Sequence, residues 1–121
     1  MKVIKFRIPI YDWDVTFVEK ITKKDIPQLK KILKASSNDK EEIEETIVSV
    51  EEGYTNGAEH YYNLGRKFST VILYRMTSAK QRRNAIAHEL RHVLDRLLQH
   101  CAIKDIETAG YIAGYLAEKI Y

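Results

Sequence analysis

The chain of 121 residues contains one cysteine, Cys101. An intrachain disulfide is therefore excluded, and a reducing, cytoplasmic setting is the natural expectation. No apolar run approaches the roughly 20 residues needed to cross a bilayer, so no membrane partner is expected. The opening Met1-Lys2-Val3-Ile4-Lys5-Phe6-Arg7 alternates charge with apolarity. It has neither the apolar h-region nor the small-residue cleavage site of a secretory signal. A strong charge bias is missing too. Net charge is +3, with Lys and Arg scattered along the chain, which argues against nucleic acid as a partner. Low-complexity tracts and modular repeats are absent; the nearest echo, Ala109-Gly110-Tyr111 followed by Ala113-Gly114-Tyr115, is one helix turn. What is present is 45% hydrophobic and 31% charged residues, the balance of an ordinary globular protein. The length suits one domain, residues 1–121, with its own hydrophobic core.

Periodicity orders the elements. Ile4, Phe6, Ile8 and Ile10 alternate with Lys5, Arg7 and Pro9 as in a half-buried strand. Tyr11 to Asp14 reads as a turn, and residues 15–21 as a second strand in hairpin with the first. Asp25 followed by Gln28, with Pro27 between them, resembles a capping box and opens a short helix bearing Leu29, Ile32 and Leu33. Glu41 and Glu42 favour the first turn of a second helix through its dipole, and Gly53 ends it. Asn56-Gly57 and Asn63-Leu64-Gly65 are turn signals around two further strands, His60 to Tyr62 and Lys67 to Arg75. Thr77-Ser78 starts a long helix that runs to about His100, and a last helix begins near Lys104 or Asp105. Two strands, two helices, two strands and two helices predict an α+β domain: a short β-sheet with helices packed on it.

The long helix carries His88-Glu89-Leu90-Arg91-His92, the pattern H-E-x-x-H. With four His in the chain, chance produces this pattern in roughly one such sequence in a hundred. Positions four apart share a helix face, so both imidazoles can reach one metal ion. Glu89 between them is placed to act as a general base on water, the arrangement of a zinc-dependent hydrolase. At 100° per residue Ile86, Leu90, Val93, Leu94, Leu97, Leu98 and Cys101 gather on the core side. His88, His92, Asp95 and Gln99 form the opposite stripe, flanked by Glu89 and Arg96. That stripe faces either solvent, as a plain polar surface, or a cleft, as a metal site requires.

A catalytic zinc commonly has three protein ligands plus water. A third His six residues after the second, as in metzincins, is excluded because that position is Leu98. Asp95 lies about 10 Å along the axis from His88, too far to join both His, and is assigned instead as an outer partner of His92. Glu107 on the last helix is the preferred third ligand, with Glu118 and Asp105 as rivals. If the two helices form a tight antiparallel hairpin, Glu107 lies opposite Leu98 and Glu118 opposite His88. Glu107 reaches the metal only if the linking chain runs back extended, over at most roughly 15 Å. Gly110 and Gly114 would let this helix approach another closely. Tyr111, Tyr115 and His60 are candidate oxyanion donors, each with ordinary packing as the plainer alternative. His100 is assigned to the helix C-terminus, where it suits the dipole.

These residues resemble the gluzincin class of zinc metallopeptidases, in which an HExxH helix precedes a helix bearing a Glu ligand. Glu107-Thr108-Ala109-Gly110-Tyr111-Ile112-Ala113 is loosely similar to the Glu-bearing helix of ImmA/IrrE-type peptidases of phages and mobile elements. Small HExxH proteins of phages and prophages are similar in size and layout. The resemblance covers about residues 67–121. It implies a zincin-like fold, zinc held by His88, His92 and Glu107, Glu89 as general base, and a peptide or protein substrate. It also implies an edge strand before the active-site helix that binds substrate in extended form, for which Lys67 to Arg75 is the candidate. The rivals are a non-catalytic binding or assembly protein with a structural or vestigial metal, and a zinc hydrolase acting on other bonds. Glu89 discriminates between them, because a structural zinc site needs no carboxylate there.

Overall fold

The alternating pattern at the N-terminus becomes β1 (Lys2–Ile8), antiparallel to β2 (Trp13–Glu19) with Ile8 opposite Trp13. The first helix starts after Asp25 as expected, but the capping box lies one turn earlier, between Thr22 and Asp25. The Asp25 carboxylate accepts the Thr22 backbone N–H at 2.8 Å and the Thr22 hydroxyl at 2.9 Å. This closes a 3-10 turn, Lys23–Asp25, that leads into α1 (Ile26–Ser36). Asp39 accepts the N–H groups of Glu41 and Glu42 and so opens α2 (Lys40–Glu51). The chain then forms β3 (Ala58–Asn63) and β4 (Phe68–Leu73), α3 (Ala79–His100) and α4 (Ile106–Ile120). In this computed structural model, which describes residues 1–121, the protein is α+β with four strands and four α-helices.

The sheet is mixed, in the order β1-β2-β4-β3. β2 and β4 are parallel and the outer pairs antiparallel. This corrects the expected substrate strand. β4, the core of the predicted Lys67–Arg75 segment, is paired on both sides, and residues 69–73 are buried throughout. The edge strand beside the long helix is β3.

Alternation splits the core into two layers. Trp13, Val15, Phe17, Val71 and Leu73 face α3 and α4, while Val18, Tyr61, Ile72 and Tyr74 face α1 and α2. Full burial of side chains such as Phe17 contributes about 1.5–3 kcal/mol each. The buried Trp13 indole N–H donates to Ser69 Oγ at 3.1 Å. On the other face the hydroxyls of Thr46 and Tyr61 bond each other.

The α3–α4 connection is tight. Ala102 takes a left-handed conformation, φ 52°, and the Ile103 N–H donates to Leu98 O at 3.0 Å. At the far end the Tyr121 hydroxyl donates to Arg83 O at 3.3 Å. The two helices are therefore antiparallel, with α4 running back from the end of α3 to the level of Arg83. α4 also packs on β1, where the Tyr115 hydroxyl donates to Arg7 O at 3.2 Å, and α3 packs on β3 and β4. No helix is long and apolar enough to cross a membrane.

The expected close helix approach at Gly110 and Gly114 does not occur; a Cβ at either position would meet no atom within 4 Å. Both are exposed helix-interior glycines, each about 0.8–1.0 kcal/mol worse than alanine. The double substitution Gly110→Ala/Gly114→Ala is expected to raise stability by about 1–2 kcal/mol in urea denaturation. A lower midpoint would show that this face is covered in solution.

Candidate metal centre

α3 begins where the Ser78 side chain accepts the Gln81 N–H at 3.1 Å. From there its period places Ile86, Leu90, Val93, Leu94 and Leu97 in the core, as expected, with Leu98 and Cys101 half-buried near its end. His88 and His92 stand exposed on the other side, with the His88 side chain 68% accessible, so they line an open face rather than a deep cleft. Their Nε2 atoms lie 3.0 Å apart and the rings meet edge to face with centroids at 4.6 Å. Glu89, expected to flank the stripe at the surface, is instead buried, 6% exposed, and its Oε1 is 4.0 Å from His88 Nε2. One donor atom from each of His88, Glu89 and His92 falls within 4.8 Å of the others, so the three can hold a metal ion.

The donor set fits that task. Two nitrogens each about 2.0–2.1 Å from a tetrahedral zinc stand about 3.3 Å apart. The observed 3.0 Å is within a few tenths of an ångström of that spacing, before any ion draws the rings into place. Burial pushes the Glu89 carboxyl above the usual carboxylate range, and the His92 and His88 imidazoles oppose the rise.

No family model, curated protein or solved structure matches the chain.

The other residues singled out from the sequence are not brought to the His pair, and each has a physical reason. Glu107, the expected third ligand, is exposed in the first turn of α4 and outside the cluster. The tight turn at Ala102 and Ile103 keeps it beside the end of α3, so the extended return it needed does not exist. The flank is wrong as well: α4 lies toward β1, whereas His92 faces β3. Glu118 is exposed further along α4 and is likewise outside the cluster. Asp105 is spent as the cap of α4, accepting the N–H groups of Glu107 and Thr108 and, at 2.7 Å, the Thr108 hydroxyl. Those bonds hold its carboxyl below the usual range. Asp95 pairs with Arg91 at 2.9 Å instead of supporting His92. Tyr111 is 78% exposed on α4, and Tyr115 is engaged with β1 and Phe6, so neither is an oxyanion donor at this site. His100 ends α3 as expected, its ring edge-on to Trp13 at 5.7 Å.

His60 on β3 does stand beside the pair. Its ring lies parallel to His92, 13° between planes and 6.2 Å between centroids. Its Nε2 is buried without a hydrogen-bond partner. Burial, with the nearby His92 and Arg96, pushes its pKa down to about 4, so the imidazole is neutral at pH 7. One turn on along α3, the Arg96 guanidinium lies over the Tyr62 ring at 4.1 Å. The sequence signal for this neighbourhood was present: His60 and Tyr62 share one face of a strand, two residues apart. A cavity of about 570 Å³ lies elsewhere, at the start of α3, lined by Glu19, Thr22, Tyr74, Met76 and Arg82.

Proposed function

We propose that this chain is a zinc-dependent metallopeptidase, a minimal zincin-like domain of the gluzincin-like kind that its HExxH motif resembles. The observation that carries the reading is the cluster itself: two imidazole nitrogens 3.0 Å apart on one helix face, with a buried carboxylate within the same 4.8 Å. Imidazole donors suit zinc far better than magnesium or calcium, which take oxygen. His88 and His92 would hold the ion, which when bound would polarise the scissile carbonyl and acidify water. Glu89 would accept the proton of the attacking water and deliver it to the leaving amine nitrogen, ending the cycle ionised as it began. The burial that lifts its proton affinity suits both halves of that task. The peptide would lie extended along the open edge of β3, whose backbone groups on that side have no strand partner. Exposure of the His pair leaves room for a protein segment as well as for a short peptide.

Incubation with zinc followed by gel filtration is expected to leave stoichiometric metal on the wild type, and His88→Ala or His92→Ala is expected to remove it. The loaded wild type should cleave a peptide library, lose that activity to a chelator and regain it with zinc. A chain that holds zinc and cleaves nothing would favour the non-catalytic assembly or binding role. A chain that takes up no zinc would remove the reading.

A further inference from the structure

A two-His site is one protein ligand short of the usual catalytic zinc, and no carboxylate of α4 joins its cluster. The residue that faces the pair from the neighbouring element is His60. We propose that His60 is the third protein ligand, so that the metal sits between β3 and α3, held by His60, His88 and His92. The proposal rests on the metal reading of the HExxH pair and says which side chain completes it.

Three observations carry it. First, a buried ring nitrogen with no partner costs about 1–3 kcal/mol, so a chain that keeps one has a reason outside its own hydrogen bonds. His60 Nε2 is such an atom, and it belongs to one of the few side-chain types that bind zinc directly. Second, the spacing is close. Two imidazoles on one tetrahedral zinc have ring centroids about 5 Å apart, from zinc–nitrogen distances of about 2.0–2.1 Å and the size of the ring. His88 and His92 are at 4.6 Å and His60 and His92 at 6.2 Å. The nitrogens of His60 lie outside the 4.8 Å cluster and its ring is stacked on His92, so a closure of roughly 1 Å together with a turn of the ring brings it to the ligand geometry. Third, β3 is the edge strand, paired only with β4, so it can shift without breaking a second strand pairing, and α3 packs directly on it. His60 points to α3 because β3 alternates, with Ala58, His60 and Tyr62 on the α3 face and Tyr61 on the other. A ligand on β3 would also set the metal directly beside the edge proposed to hold the substrate backbone.

The test uses the full chain with zinc and with cobalt(II) as a spectroscopic stand-in. Zinc affinity is measured by chelator competition for the wild type, His60→Ala, His60→Cys and Glu107→Gln. Changing a residue that only supports a ligand typically costs 10–100-fold in metal affinity, so losing a ligand should cost at least about 100-fold in His60→Ala. The cobalt absorption of that variant should change in band shape and intensity. His60→Cys should regain binding and acquire the near-ultraviolet sulfur-to-cobalt charge-transfer band that only a directly bonded thiolate gives. The wild type, with Cys101 alone, should lack this band, and Glu107→Gln should match the wild type throughout. Circular dichroism of each metal-free variant checks that it folds, and the His60→Cys band stays decisive if His60→Ala does not. Unchanged zinc affinity in His60→Ala, or no charge-transfer band in folded His60→Cys, would overturn the assignment of His60 while leaving the His88–His92 site standing. A wild type that binds neither metal would overturn both.

Discussion

Glu89→Gln is expected to reduce peptide cleavage by about 10²–10⁴-fold while leaving bound zinc unchanged. The glutamine amide fills the same space but cannot take a proton from water at neutral pH. In the proposed mechanism the imidazoles hold the metal and Glu89 acts on water, so the zinc affinity should stay near the wild-type value; a large loss would instead make Glu89 a ligand. A purely structural role for Glu89 predicts the reverse pattern, with stability altered and turnover kept. Stability gives an independent readout. Glu89 is 6% exposed and its carboxyl is held above the usual range by burial. A carboxyl raised on folding binds its proton more tightly in the native state. The charged form therefore opposes folding, and stability falls as pH rises through the native pKa. Removing that charge should raise the urea midpoint of the metal-free chain at pH 7, although the same change destroys turnover. Stability given up for activity at one side chain is the signature of a working group. Turnover that survives the substitution would take Glu89 out of the mechanism.

The chain announced its helices more fully than its sheet. Ser78 caps the helix it was expected to open, because a short polar side chain before an apolar period has one local solution, and Glu41 and Glu42 stand in the first turn of α2 as expected. The position of His88 and His92 opposite the core followed from the same period. Strand order did not. The resemblance makes Lys67 to Arg75 the edge strand because it precedes the HExxH helix, yet Val71, Ile72 and Leu73 form the unbroken apolar run of a strand covered on both faces. That run was a legible mark of an inner strand, and the resemblance overrode it. Glu107 was misplaced for a different reason. Helical spacing says which face of α4 a residue occupies, but not on which flank of α3 that helix lies. The flank is decided by a left-handed Ala102 and by the packing of Tyr115 and Phe6, neither of which has a periodic signature. Glu89 shows the remaining limit. A helical wheel put it at the margin of the polar stripe, and the presence of β3 beneath that margin buried it.

Arg82→Met should be the most destabilising single change outside the apolar core, costing about 3–5 kcal/mol. The Glu19 side chain is 4% exposed and has two bonds from the Arg82 guanidinium, Nε to Oε1 and Nη2 to Oε2, each 2.8 Å. Arg82 is 30% exposed, so the pair is desolvated mainly on the carboxylate side. A methionine would fill much of the arginine stem's space and leave a buried charge with no partner. Against the roughly 5–15 kcal/mol that holds a domain folded, this is a large fraction, and the melting temperature should fall by on the order of 10 °C or more. The pH dependence gives the sign. The Arg82 bonds hold the Glu19 carboxyl below the usual range, so their contribution is present above ordinary carboxylate pKa values and is lost as pH falls through the lowered native one. In Arg82→Met burial, which pushes the Glu19 carboxyl up, is opposed only by the weaker pull of the Lys2 and Lys20 charges. Protonation then relieves the variant while it weakens the wild type. The stability gap should therefore narrow as pH is lowered from 7 into and below the ordinary carboxylate range. Glu19→Gln/Arg82→Met should recover part of the loss at pH 7, since it removes the stranded charge as well as its partner. The pair fastens the first turn of α3 to the end of β2, away from the His pair. Folded Arg82→Met, studied at low temperature, should accordingly bind zinc as the wild type does. A gap that stays constant with pH would show that Glu19 is not the charge left exposed to the loss of Arg82.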